Sequence, residues 1–253
     1  MKKVLCIFLV TILSFHFVVK SLEKAEVVSQ ESELKDVPDV AKKPIIETKE
    51  VSEKLQKLLD KISRNPALLA AGIRSVKNFI RELNEKLHEA VANKDLKTVK
   101  KLVAIGPPYV DINWQDSTGF IPLHRAAMFD IADVNAFEIV KILMRGGSDI
   151  NKKDPIGMTP LHYATVTGVK KTIEYLIKNG ANIDAQDNKG NTSLHYICFV
   201  GSPEFAKFFI EKGADTAIKN KDGKTPYDFI VEGGFEKEFE VLKDFFGRRR
   251  KNE

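Results

Sequence analysis

Thr159-Pro160-Leu161-His162-Tyr163-Ala164 reads as the opening of a short helix: a hydroxyl residue able to cap it, then a proline whose missing N–H is not needed in the first turn. Just before it, Asp154-Pro155-Ile156-Gly157 makes a tight turn in which the glycine tolerates a positive φ. Leu161 and Ala164 face inward, and the small alanine admits a close neighbour. After a turn at Gly168, the residues Ile173, Leu176 and Ile177 form the buried stripe of a second helix, which Gly180 stops in the left-handed conformation. A unit this small cannot bury its own apolar face, so it predicts neighbours of the same kind.

The neighbours are there. Gly119, Gly157, Gly190 and Gly223 follow one another at gaps of 38, 33 and 33 residues. That register superposes Ile121-Pro122-Leu123-His124, Thr159-Pro160-Leu161-His162, Thr192-Ser193-Leu194-His195 and Thr225-Pro226-Tyr227-Asp228. It also aligns Gly147-Ser148-Asp149-Ile150-Asn151, Gly180-Ala181-Asn182-Ile183-Asp184 and Gly213-Ala214-Asp215. The pattern resembles the ankyrin repeat, whose TPLHxA signature is complete from Thr159 to Ala164. A degenerate first unit begins near Asn84, with Leu87-His88 at the Leu-His step and Gly106 at its end. The resemblance implies an all-α ankyrin-repeat solenoid of about five helix-turn-helix units, occupying residues 83–247.

Departures from the period are expected in loops, which accept insertions at small entropic cost. There are 23 positions from His124 to Gly147 against 18 from His162 to Gly180, so five extra residues sit near Asp130 to Ala136. Three more, including Pro107 and Pro108, lengthen the connection between Gly106 and Asn113. The last unit has Tyr227-Asp228 in place of Leu-His and ends in charged residues, which suits a terminal cap. The first unit lacks turn and capping residues, so the helix before it is expected to cover that end.

Upstream of the repeats three further segments are expected. Residues 1–21 combine a basic start, an apolar run from Val4 to Val19 and the Val19-Lys20-Ser21 junction, the layout of a secretory signal peptide cut after Ser21. If the run is retained, it anchors the chain by its N-terminus instead. Residues 22–50 are rich in Glu, Lys, Val and Ser, contain Pro38 and Pro44 and lack aromatics, which predicts a disordered charged linker spanning on the order of 30 Å. Residues 51–82 form a helical N-terminal extension: Leu55, Leu58, Leu59 and Ile62 share one face, and Asn65-Pro66 ends one helix and starts another. In that second helix Leu69, Ile73, Val76, Ile80, Leu83 and Leu87 form a stripe that faces either the first repeat or a second copy of the chain.

Composition narrows the chemistry. The chain has 253 residues, 43% hydrophobic and 30% charged, an ordinary globular balance that excludes collagen-like and polytopic membrane classes. Its surplus of +5 falls to +2 once a leader carrying three lysines and no acid is removed, so no nucleic-acid partner is expected. Arg248, Arg249, Arg250 and Lys251, within residues 248–253, read as a solvated basic tail. Cys6 lies in the leader, leaving Cys198 with no partner for an internal disulfide and a place in the core.

Three motifs imitate active sites. His124, His162 and His195 share a register, but helices stack about 8 to 10 Å apart, whereas zinc ligands all lie about 2 Å from one ion. A structural role, bonding the neighbouring turn, fits them better. Asp116, Asp154 and Asp187 are spaced by the same stack and are turn residues, not a catalytic pair. His88-Glu89 begins like HExxH, yet Ala92 stands where the second ligand belongs. With no GxGxxG, GxxxxGK[ST], CxxC or GxSxG, the expectation is a protein without catalysis, cofactor, metal or small-molecule substrate.

The resemblance implies protein binding on a concave face made of turn tips and first helices. Position by position, that face would include Ser117, Thr118, Phe120, Met128, Phe129, Ile156, Met158, Val166, Thr167, Asn188, Lys189, Asn191, Phe199 and Val200. Eight of these are apolar although the core is already supplied, which predicts a hydrophobic groove for an unidentified protein partner of a monomeric chain. Residues 51–82 or the five-residue insert could cover it instead. Two roles follow: an exported adaptor without chemistry of its own, or a membrane-tethered structural protein of the envelope.

Overall fold

A computed structural model of the chain describes residues 66–129 and 134–246, with the backbone alone for 66–73 and 134. The expected leader (1–21), linker (22–50), first helix of the extension, basic tail (248–253) and residues 130–133 of the insert lie outside the described residues. The chain divides between Ser75 and Val76 into two units, and the second holds the repeats. The described elements are helices: α1 Pro66–Ala92, which crosses that division, α2 Leu96–Ile105, α3 Pro122–Ala127, α4 Val134–Arg145, α5 Pro160–Val166, α6 Lys170–Lys178, α7 Ser193–Val200, α8 Pro203–Glu211 and α9 Pro226–Gly233. A 3-10 turn, Glu240–Phe245, closes the described chain. Among the described residues there is no strand, and no helix is long and apolar enough to cross a membrane.

The helices pack as two rows. First helices follow one another, α3 on α5, α5 on α7 and α7 on α9, while α2 packs on α4 and α4 on α6 in the second row. Each row is held by columns of side chains one period apart. Leu123, Leu161 and Leu194 form one column, Val140, Ile173 and Ala206 another, and Leu143, Leu176 and Phe209 a third, all buried. Each large member contributes roughly 1.5 to 3 kcal/mol by leaving water, part of it against the neighbouring unit.

Local chemistry sets the helix starts. Ile121, Thr159, Thr192 and Thr225 precede the first helices in extended conformation, and a proline follows three of them. The threonine hydroxyl plays a different part from the one expected. It does not accept a helix amide; it and the threonine N–H both face the histidine three residues on, 2.9 and 3.1 Å from His162 Nδ1 in the third unit. The imidazole, three residues into the helix, thus reaches back to the residue that precedes it, the reciprocal half of a capping box.

The ends depart from a simple five-unit count. Helix α1 runs unbroken through residue 82, so extension and first unit share one helix, and its Leu83, Leu87 and Val91 are buried. In place of a second helix the fifth unit has the 3-10 turn, with Phe239 and Leu242 buried. The Phe235 ring fills the space above Gly201 and Gly233, where any Cβ would come within 3 Å of it.

Candidate functional site

Four turns project between the units, each closed by the same pair of backbone bonds. In the third, Asp154 N–H donates to Met158 O (3.0 Å) and Gly157 N–H to Asp154 O (2.9 Å). Asp116, Asp187 and Asn220 repeat that pattern. Inside each turn one side-chain oxygen, Asp154 Oδ1 for example, accepts the amides two and four residues on. Neighbouring turns bond directly: Asn188 N–H donates to Ile156 O and Lys221 N–H to Lys189 O, both at 2.9 Å.

The second carboxylate oxygen of each aspartate reaches the first helix nine residues on. Asp116 takes Arg125, Asp154 takes the Tyr163 hydroxyl and Asp187 the Tyr196 hydroxyl. This column, Arg125, Tyr163, Tyr196 and Phe229, escaped the sequence reading, although its 38- and 33-residue spacing was there to find. Phe229 cannot donate, and its turn accordingly carries neutral Asn220. Burial and Asp187 together push the Tyr196 hydroxyl up to about 12. At Asp116 burial alone would raise the carboxyl, but donors from Thr118, Arg125 and Phe120 outweigh it and hold the group well below the usual carboxylate range.

The fifth unit suggests a test. Tyr196→Phe leaves Asp187 buried with one donor fewer and should cost about 1 to 3 kcal/mol. Asp187→Asn added to it should recover part of that loss, since Asn220 and Phe229 already coexist. A urea-denaturation double-mutant cycle reads the coupling, and strictly additive losses would contradict it.

Each unit's histidine ties it to the next. Nδ1 accepts the N–H of Ile121, Thr159 or Thr192, which fixes the proton on Nε2. That Nε2–H then points at a carbonyl one unit away: Lys152 O from His124 (2.9 Å), Asn191 O from His162 (3.3 Å) and Lys224 O from His195 (3.2 Å). His88 Nε2 likewise meets Trp114 O at 2.9 Å, which places α1 in the repeat register, but its Nδ1 accepts no amide and faces the Asp116 carboxylate at 3.5 Å. Asp228 copies only the first half, taking the Thr225 N–H and hydroxyl. Asn and Asp side chains add further brackets, as where Asn113 Oδ1 accepts Asp149 N–H at 2.7 Å and Asn151 Oδ1 accepts Asn182 N–H at 2.8 Å. Among the described residues no three His, Cys, Asp or Glu side chains converge as a metal site would require.

Burial lowers the pKa of all four rings from the ordinary 6.5, and in His124, His162 and His195 the Nδ1 that accepts an N–H also requires a neutral ring. Above that pH folded and unfolded chains bind the same protons here, and the full stability is present. As pH falls below 6.5 the unfolded chain takes up protons that the folded one refuses. Stability then drops, by up to about 1.4 kcal/mol per pH unit for each ring, until the folded pKa values are passed. The urea midpoint is therefore expected to be flat from pH 8 to 7 and to fall towards pH 5; a midpoint that rises over that interval would contradict the neutral-ring geometry.

The contact residues expected from sequence divide by exposure. Ile156 (57% exposed), Val166 (51%), Phe199 (64%) and Val200 (65%) stand in solvent. Val166 and Phe199 occupy one register at the ends of α5 and α7, with half-buried Met128 at the same place after α3; Phe129, Thr167 and Val200 occupy the next. Phe129 lies under Lys94, 5.3 Å from the ring centre. Phe120 is half-buried because its ring packs 5.1 Å from Tyr163, with Arg125 5.5 Å from its centre. Met158 needs correcting: at 7% exposed it is filling, held where its N–H meets Asp154 and its carbonyl faces His124 Nε2. Of the polar residues expected on this face, Ser117, Thr118, Thr167, Asn188 and Lys189 are exposed and Asn191 half-buried.

Two other features are already committed. Cys198 is buried, and burial raises its thiol far above the ordinary value, so it stays protonated. A hollow beside Tyr227 and Phe246 contains Thr216, Thr225 and Lys243, but their polar groups are engaged by Phe245 O, Asp228 and Glu240.

A family model described as ankyrin repeats (3 copies) matches the chain over residues 87–187, 129–220 and 171–243.

Proposed function

Because the chain belongs to the ankyrin-repeat family, whose repeats are generic protein-interaction modules, we propose that it is a non-catalytic scaffold that captures a partner protein on the face made by its turn tips and first-helix ends. The observation that carries this reading is the exposure of Ile156, Val166, Phe199 and Val200 on turns and helices fixed by hydrogen bonds from unit to unit. Each such side chain gains roughly 1.5 to 3 kcal/mol when a partner removes it from water, and a prefixed surface loses little entropy on binding. We propose further that the chain acts as a monomer exported by its leader; a mature N-terminus at Leu22, read by intact mass, is expected, and Met1 would speak for an anchor.

The test is affinity capture by wild-type chain beside a Val166→Asp, Phe199→Asp, Val200→Asp variant. These positions are exposed, so circular dichroism should be unchanged and the melting temperature only slightly lowered, Phe199 giving up an edge contact with Phe229, while the specific partner is lost. Identical capture by both would refute the proposal.

A further inference from the structure

The chemistry of the partner is legible in the charges around that face, and this inference rests on the reading just given. The tips of the third, fourth and fifth units carry Lys152, Lys153, Lys189, Lys219, Lys221 and Lys224. Against these six stand three tip acids, and Glu232, at the end of α9 in the register of Val166 and Phe199, makes a fourth; the surplus is two positive charges, and two of the tip acids are spent. Asp154 and Asp187 are buried, their oxygens taken by turn amides and by Tyr163 and Tyr196. Only Asp222 is an exposed tip acid. Among the described residues Lys224 alone of the six pairs with a carboxylate, that of Glu232 at 2.7 Å. The spacing is fixed too: Lys153 Nζ donates to Gln186 O (2.7 Å), and the Lys189 and Lys221 backbones bond at 2.9 Å, so successive tips present cations one unit apart.

We infer that the face selects an acidic peptide segment bearing aliphatic side chains, its carboxylates over the tip lysines and its apolar residues against Ile156, Val166, Phe199 and Val200. Charges arranged this way steer an acidic partner and reject a basic one. A single-stranded nucleic acid would satisfy the lysines but needs aromatic platforms under successive bases. Of the four exposed apolar residues on this face only Phe199 is aromatic, and the tips of the third, fourth and fifth units carry no arginine.

The experiment selects a displayed random-peptide library on the immobilised full chain and measures the enriched peptides by fluorescence anisotropy. The expected peptides hold more Asp and Glu than Lys and Arg, together with Leu, Ile or Val. Their binding should weaken about tenfold or more in Lys153→Glu, Lys189→Glu, Lys221→Glu and on raising salt from about 50 to about 500 mM. The Phe199→Asp, Val200→Asp variant should not retain them. Neutral or basic peptides that still require Phe199 and Val200 would overturn this inference and leave the binding face standing. Peptides indifferent to both variants, or no retained peptide, would overturn the inference and the face together. An oligo(dT) probe bound more tightly than the acidic peptides through the same lysines would overturn it in favour of nucleic acid.

Discussion

Gly190→Ala is expected to destabilise the protein by about 2 to 5 kcal/mol, whereas Gly223→Ala should cost only about 1 to 2. Both glycines occupy the same turn position, at φ +80° and +76°, so an alanine Cβ is strained equally at each. They differ in what lies beyond. A Cβ on Gly190 would sit 2.8 Å from Lys221 N and 3.0 Å from Asn220 Cα, backbone atoms of the next turn that cannot step aside. It would push apart the tips joined by the Lys221 N–H to Lys189 O bond. Gly223 belongs to the last turn, and a Cβ there meets nothing within 4 Å. The difference between the two urea-denaturation free energies isolates the contact between tips. Equal losses would show that the turns are stabilised singly, not against one another.

His162→Phe should cost about 2 to 6 kcal/mol, although phenylalanine fills much the same volume. The ring is fully buried and its Nδ1 takes both Thr159 donors, the N–H at 3.1 Å and the hydroxyl at 2.9 Å. Phenylalanine leaves two buried donors unmet and cuts the link to Asn191 O in the next unit. Hydrogen exchange gives a second readout, because the Thr159 amide should exchange far faster in the variant, while amides of α9, two units away, should follow only the global loss of stability. A loss below about 1 kcal/mol, within the range of ordinary core changes of conserved volume, would mean that the ring serves as filling alone.

The repeat was legible because its chemistry is strict. A turn at positive φ requires glycine, a proline is welcome only in the first turn of a helix, and a histidine three residues after the cap recurs wherever a following unit offers a carbonyl. The histidines' structural role and the buried place of Cys198 follow from the same logic. Other features depend on contacts between units, which one register cannot display. Met158 and Phe120 share a turn position, yet one is buried and the other half-exposed, because their fates depend on the neighbouring turn and on Tyr163. The threonine cap was misread because the histidine competes for its hydroxyl. The Arg125, Tyr163, Tyr196 and Phe229 column hid behind its varied chemistry: three different side-chain types answer to one turn position, and only geometry shows that the loss of the donor at Phe229 accompanies the loss of charge at Asn220.

The claim on which the account turns is that binding takes place at the turn tips and first-helix ends. Methyl-resolved NMR of the full chain, titrated with its captured partner, tests it directly. The account predicts shifts at Ile156, Val166 and Val200, with little change at Val241, which is 84% exposed on the final 3-10 turn. Shifts at Val241 and along α6 and α8, with Ile156, Val166 and Val200 silent, would contradict it.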